Sequence, residues 1–333
     1  MGHLPRDRVT PNSPFYITGV DYVGPFLIKD RKGRRCKTSK CWVAVFICFA
    51  SRAIHLDLVT ELSSDCFILA LRHFASRWGM PAKIYSDNGT GFVGANSELR
   101  DSGQFLKENE KFLNQHFTIE RFNWKFIPAY SPHFGGLWEA GVKSAKHHLK
   151  RVMGNALFTF EEFYSLLAQI GAILNSRPLT PLSSDPLDPY PLTPAHLLIG
   201  RSLTTVPDPD VTHLPESRLS RYQRIQQVQQ NFWSRWSKEY ITELQHRGKW
   251  RSQASTWIRK GMVVLIKDDH LPSMKWQIGV VTVLHPGCDN IVRVASLQTK
   301  KGIIKRTVAR LCPLPVEPSP LCEVQQSADD ISS

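Results

Sequence analysis

Apolar residues along the chain fall into two rhythms. From Pro14 the text PFYITGVDYVGPFLI, then Cys41–Ala50 and Ala53–Val59, form strand-length runs bounded by polar turns. The rhythm then changes to steps of three and four: Phe67, Leu71, Phe74 and Trp78 predict a helix. Ser63, Ser64 and Asp65 offer its N-cap, and Gly79 and Pro81 end it. Ala82–Tyr85 is a short strand, Ser97–Phe117 a charged helical stretch, and Ile119–Ile127 a further strand. Strand, helix, strand in this order predicts an α/β layer built on a mixed sheet.

The second half repeats neither rhythm at once. Phe160, Phe163, Leu167, Ile170 and Leu174 mark a helix over Thr159–Leu174 that ends at Asn175–Pro178. Pro178–Pro215 is proline-rich and reads as an ordered connector with little regular structure. A long amphipathic helix is predicted over Glu216–Arg247, with Leu219, Tyr222, Ile225, Val228, Phe232, Trp236, Tyr240 and Leu244 as its stripe. Four strands follow, at Gly261–Lys267, Gln277–Leu284, Ile291–Ser296 and Gly302–Val308, and predict a small β-barrel. The expected division is a lead-in (1–13), an α/β core (14–178), a connector with the long helix (179–248), the barrel (249–315) and a disordered tail (316–333).

Charge sharpens this picture. Lys plus Arg number 42 against 29 Asp plus Glu, a formal net charge of +13, which points to a polyanionic partner. Between His246 and Arg310 there are 13 Lys or Arg and three Asp (Asp268, Asp269, Asp289), so the excess concentrates in the barrel. The seven cysteines are scattered without a Cys-x-x-Cys pair, against both a disulfide framework and a zinc ribbon, and favour a reducing compartment. The longest apolar run, Trp42–Ala50, is too short to span a bilayer, and no membrane partner is expected.

Three acids stand out. Asp21 interrupts an apolar strand, where an unpaired carboxylate is costly to desolvate. It is either a solvent-facing acid on an edge strand or a ligand on a central one. Asp87 follows a strand at its carboxyl end, where α/β sheets hold ligands. Glu139 opens a helix, SPHFGGLWEAGVKSAKHHLKR from Ser131 to Arg151, on which Lys143, Lys146 and Lys150 follow at offsets of four, seven and eleven. These four fall within a narrow arc, either a solvated face or a metal site beside a phosphate backbone. Three carboxylates suit two Mg²⁺ ions (or Mn²⁺), the arrangement that activates an oxygen nucleophile and stabilises a leaving oxygen in phosphodiester chemistry.

The segments GVDYVGP (Gly19–Pro25), SDNGTGFVGA (Ser86–Ala95) and PHFGGLWEA (Pro132–Ala140) closely resemble the integrase core of Bel/Pao-type long-terminal-repeat retrotransposons, within the retroviral integrase superfamily. Thr193–Gly200, TPAHLLIG, resembles the segment that follows these cores. The resemblance implies a ribonuclease-H-like fold with an SH3-like C-terminal barrel. By position it makes Asp21, Asp87 and Glu139 the catalytic, metal-binding acids and Lys143 and Lys146 DNA contacts; Lys150 joins them on helix geometry. It further implies 3′-end processing and strand transfer of element DNA into target DNA by a homo-oligomer, with no small-molecule substrate, in the nucleus after a cytoplasmic stage. Two departures bear on activity. Positions 88–138 put 51 residues between the second acid and the Glu, a longer interval than retroviral integrases typically have. The family's upstream His-His-Cys-Cys zinc pattern is not found in this sequence, so a fragment of a polyprotein is expected. A domesticated or catalytically impaired DNA-binding descendant is the alternative.

Overall fold

The computed structural model describes residues 7, 10–33, 35–87, 89–108, 123–126, 146–154, 156–182, 190–206, 208–251, 258–268, 271–289 and 291–314, with backbone alone at 100–108 and 246–251. Glu139, Lys143 and the expected tail lie outside them. The chain divides into two compact units, one of residues 1–177 and 194–236, the other of 178–193 and 237–333. The stretch expected as a connector is thus shared between the two.

In the first unit β1 (Ile17–Lys29), β2 (Thr38–Cys48) and β3 (Ile54–Val59) form antiparallel neighbours, followed by helix α1 (Ser64–Trp78). Next come β4 (Lys83–Ser86), helix α2 (Thr90–Glu108) and β5 (Asn123–Phe126). The sheet order is β3-β2-β1-β4-β5, with β4 parallel to β1 and β5 parallel to β4. This is the mixed sheet expected, and β1 is its central strand, which removes the edge-strand account of Asp21.

Period-two alternation sorts the faces. Val20, Ala44, Phe46, Cys48 and Ile84 join Phe67, Leu71 and Phe74 of α1, Phe92 of α2 and Trp124 of β5 in one aromatic-rich core. Phe46 stacks on Phe74 at 4.4 Å, and Phe67 meets Phe92 edge-on at 4.9 Å. Asp21 and Val23 alternate with Val20 and Tyr22 and so point to the opposite face. Ser63 caps α1, its Oγ accepting from the Cys66 N–H, and Gly79, at φ 84°, ends it in a conformation that glycine adopts without strain.

Residues 146–153 form helix α3, followed by β6 (Phe158–Thr159), which pairs with β1, and helix α4 (Phe160–Asn175). Glu162 accepts from the Thr159 backbone N–H at 3.0 Å, a cap that fixes where α4 begins. At its far end Asn175 accepts from the Ile54 N–H and donates to the Ile54 carbonyl, both at 2.8 Å, which ties α4 to β3. β7 (Thr180–Pro181) and β8 (Pro191–Leu192) pair in a short ladder, and helix α5 spans Pro194–Ile199. The proline-rich stretch therefore holds more regular structure than expected: Pro194 sits at the first helical position, where its missing N–H costs nothing.

The long helix, α6, spans Arg221–Arg251 rather than starting at Glu216. Its start is fixed locally. Ser220 Oγ accepts from the Gln223 N–H while Gln223 Oε1 accepts from the Ser220 N–H. Tyr222, expected on the apolar stripe, is exposed. Ile225, Val228, Phe232 and Trp236 are buried, as are Ile241 and Leu244, which join the core of the second unit.

That unit is built on an antiparallel sheet of β9 (Val263–Ile266), β10 (Gln277–Pro286), β11 (Val292–Thr299), β12 (Gly302–Thr307) and β13 (Leu311–Pro313), ordered β12-β11-β10-β9-β13. The four expected strands are present. The fifth, β13, has only three residues and was not legible. Among the described residues no helix is long and apolar enough to cross a membrane.

Phe67 is fully buried at the meeting of β2, α1 and α2. Phe67→Ala is expected to lower the unfolding free energy of the first unit by about 3–5 kcal/mol, read by denaturant titration.

Candidate active site

The parallel pairing of β1 with β4 runs Ile17↔Lys83, Thr18↔Ile84 and Gly19↔Tyr85. Two residues beyond the last pair on each strand stand Asp21 and Asp87. Asp21 lies on the central strand, and Asp87 immediately follows the carboxyl end of the neighbouring parallel strand β4, which ends at Ser86.

Each carboxylate is held. Asp21 Oδ1 accepts from the Tyr22 N–H at 2.6 Å, and Asp21 Oδ2 pairs with Lys146 Nζ of α3 at 2.8 Å. The Asp21 side chain is 24% exposed, so it can meet a solvated ligand. Asp87 Oδ1 accepts from the Gly89 N–H at 3.1 Å, a local turn that pins the side chain. Ser86 Oγ donates to the Asp87 carbonyl and accepts from Trp124 Nε1, each at 2.9 Å, tying this strand end to β5. Tyr22 stacks on Phe92 at 4.8 Å, and its hydroxyl is held well above the usual phenol range by burial first, then by the charges of Cys66 and Asp87.

The glycines after Asp87 serve packing. A Cβ on Gly91 would lie 2.9 Å from the Leu62 carbonyl oxygen, and one on Gly94 would lie 2.1 Å from Ser64 Oγ. The first turns of α2 thus approach the start of α1 too closely for any side chain. That is why α2 begins at Thr90, ahead of the helix expected from Ser97.

Of the predicted site residues, the structure pairs Lys146 with Asp21, and it places Asp87 just past the end of the adjacent strand. Lys150 is exposed one turn further along α3, whereas His148 and Leu149 face inward. The Lys146–Asp21 pair was missed, because Lys146 was assigned to DNA alone. The donors present are hard carboxylate oxygens with a cation beside them, and they fit magnesium or manganese.

Residues 220–314, spanning α6 and the second unit's sheet, match a protein family described as a family of unknown function (DUF5641). A search of the curated proteins finds no match. Among solved structures, the chain is similar to one in the simian T-cell lymphotropic virus intasome in complex with PP2A regulatory subunit B56 gamma, at 14% identity and a TM-score of 0.36, over 96% of this chain and 85% of that one. It is also similar to the HTLV-2 integrase catalytic core domain in complex with magnesium (16%, 0.33, 56% of this chain and 97% of that one). A third likeness is the catalytic core domain of BIV integrase (14%, 0.35, 56% and 95%).

Two substitutions separate packing from charge here. Gly91→Ala is expected to cost about 1–3 kcal/mol, because the Leu62 backbone must move. Lys146→Ala is expected to change stability by less than about 1 kcal/mol, because its ion pair is partly exposed. Urea unfolding of both variants checks the contrast.

Proposed function

We propose that this chain is an integrase-type polynucleotidyl transferase that cuts and joins DNA phosphodiesters. The observation that carries it is Asp21 on β1, paired with Lys146, next to the parallel strand β4 whose carboxyl end Asp87 follows. Asp21 and Asp87, with Glu139 from the sequence resemblance, would hold two divalent ions, magnesium or manganese. When bound, such ions make a water or hydroxyl nucleophilic at neutral pH and stabilise the departing oxygen. Lys146 stands where a scissile phosphate would approach and can exchange its bond from Asp21 to a phosphate oxygen. Lys143 and Lys150 extend that cationic row along the duplex.

The second unit supplies the remaining affinity. Lys300 and Lys301 lie at the turn between β11 and β12, and Lys305 and Arg306 on β12. Phosphate contacts of this kind carry no sequence code but set position, and their strength falls with salt. The substrates would be the ends of an element's DNA and a target duplex, joined by a homo-oligomer in the nucleus after a cytoplasmic stage. The Bel/Pao type is the closer assignment that the sequence segments favour.

Strand transfer of a short duplex carrying the element's terminal sequence, in Mg²⁺, tests this. Asp87→Asn is expected to abolish transfer while leaving duplex affinity within about twofold, since phosphate contacts dominate that affinity. An unmutated chain that binds DNA but transfers none in Mg²⁺ or Mn²⁺ would identify instead a DNA-binding descendant without catalysis.

A further inference from the structure

Away from the carboxylate pair, on the edge strand β3 and the adjoining face of α1, lies a second cluster of metal-ligating side chains. His55, Asp57 and His73 each offer a donor atom, and these atoms lie within 4.8 Å of one another. His55 and Asp57 are two apart on β3 and so share a face, and His73 reaches them from α1. We propose that this is a binding site for a borderline divalent transition ion, zinc being the best fit, distinct from the magnesium chemistry proposed for Asp21 and Asp87 and independent of it.

The geometry supports it. His55 is buried, and its Nε2 has no hydrogen-bond partner among the described residues. A buried polar atom left unmatched is costly, so an apolar side chain would serve a purely packed position better.

The other two ligands are already oriented. Asp57 Oδ1 accepts from the Leu58 N–H at 3.0 Å, which directs Oδ2 to His73 Nδ1 at 2.6 Å. A metal ion would replace that contact, its proton leaving to solvent, and spread the two donors to roughly the 3.3 Å that tetrahedral bonds near 2 Å require. On the far side of the ring, the Tyr164 hydroxyl lies 3.2 Å from His73 Nε2 and accepts from Arg77 Nη2 at 2.9 Å. With the ion on Nδ1, the neutral ring would carry its proton on Nε2 and donate to the Tyr164 oxygen, the outer partner that ligating histidines need. Two imidazoles and one carboxylate select zinc, cobalt, nickel or copper over magnesium. The His73 side chain is 38% exposed, which gives the ion a route in and leaves a position for water. An ion held here would join β3 to α1 and, through Tyr164, to α4.

Cobalt titration of the full chain carrying Asp21→Asn and Asp87→Asn, so that the carboxylate pair does not compete, tests the site. One equivalent of Co²⁺ is expected, with visible d–d absorption. His73→Gln, at a half-exposed position, is expected to weaken binding at least about 100-fold, the upper end of what loss of an outer partner alone does. Tyr164→Phe is expected to weaken it about 10-fold. His73→Cys should restore binding and add a sulfur-to-cobalt charge-transfer band in the near ultraviolet, which a structural role for His73 would not produce. No uptake by the parent, or uptake that His73→Gln leaves unchanged, overturns the site. Absence of the charge-transfer band in a His73→Cys protein with parental circular dichroism does so as well.

Discussion

The parallel pairing of β1 with β4 is the constraint on which the first unit depends. Gly19 opposite Tyr85 sets the register, and it brings the strand that bears Asp21 next to the strand that Asp87 follows. A slip of one residue would turn Asp21 into the aromatic core, where it would be unpaired and desolvated. The alternation therefore does two tasks with one set of strands. It buries Val20, Ile84 and Phe46 against α1 and leaves Asp21 on the other face.

Each carboxylate is held by local donors, and Asp21 by one cation as well. The Tyr22 and Gly89 backbone N–H groups orient the oxygens, and Lys146 neutralises part of the charge from α3. The same lysine leaves a cation half-exposed beside Asp21.

Much of this was legible in the sequence because it is local. Phe67, Leu71, Phe74 and Trp78 announced α1, its Ser63 cap marked where it begins, and the strand runs around Asp21 and before Asp87 placed both acids on a sheet. What escaped was set by tertiary contact. The early start of α2 at Thr90 follows from Gly91 and Gly94 packing on the start of α1, where a glycine alone reads only as a turn. β13 is a strand because β9 offers it a partner. The start of α6 was recoverable, since Ser220 and Gln223 are a capping box that the apolar period ran past. The Asp21–Lys146 contact joins residues 125 apart, which no spacing announces. His55 and Asp57 carried a faint signal, two ligating residues at period two within an apolar strand, but His73 becomes their neighbour only when α1 packs on β3.

The account stands on Asp21 and Asp87 acting as one divalent-ion site. Electron paramagnetic resonance of Mn²⁺ bound to the chain in complex with duplex DNA measures this directly. Two ions per active chain are predicted for the parent, and loss of both from the Asp21→Asn, Asp87→Asn double variant. Equal Mn²⁺ occupancy in parent and double variant would show that these two carboxylates do not hold metal, and the central claim would fail.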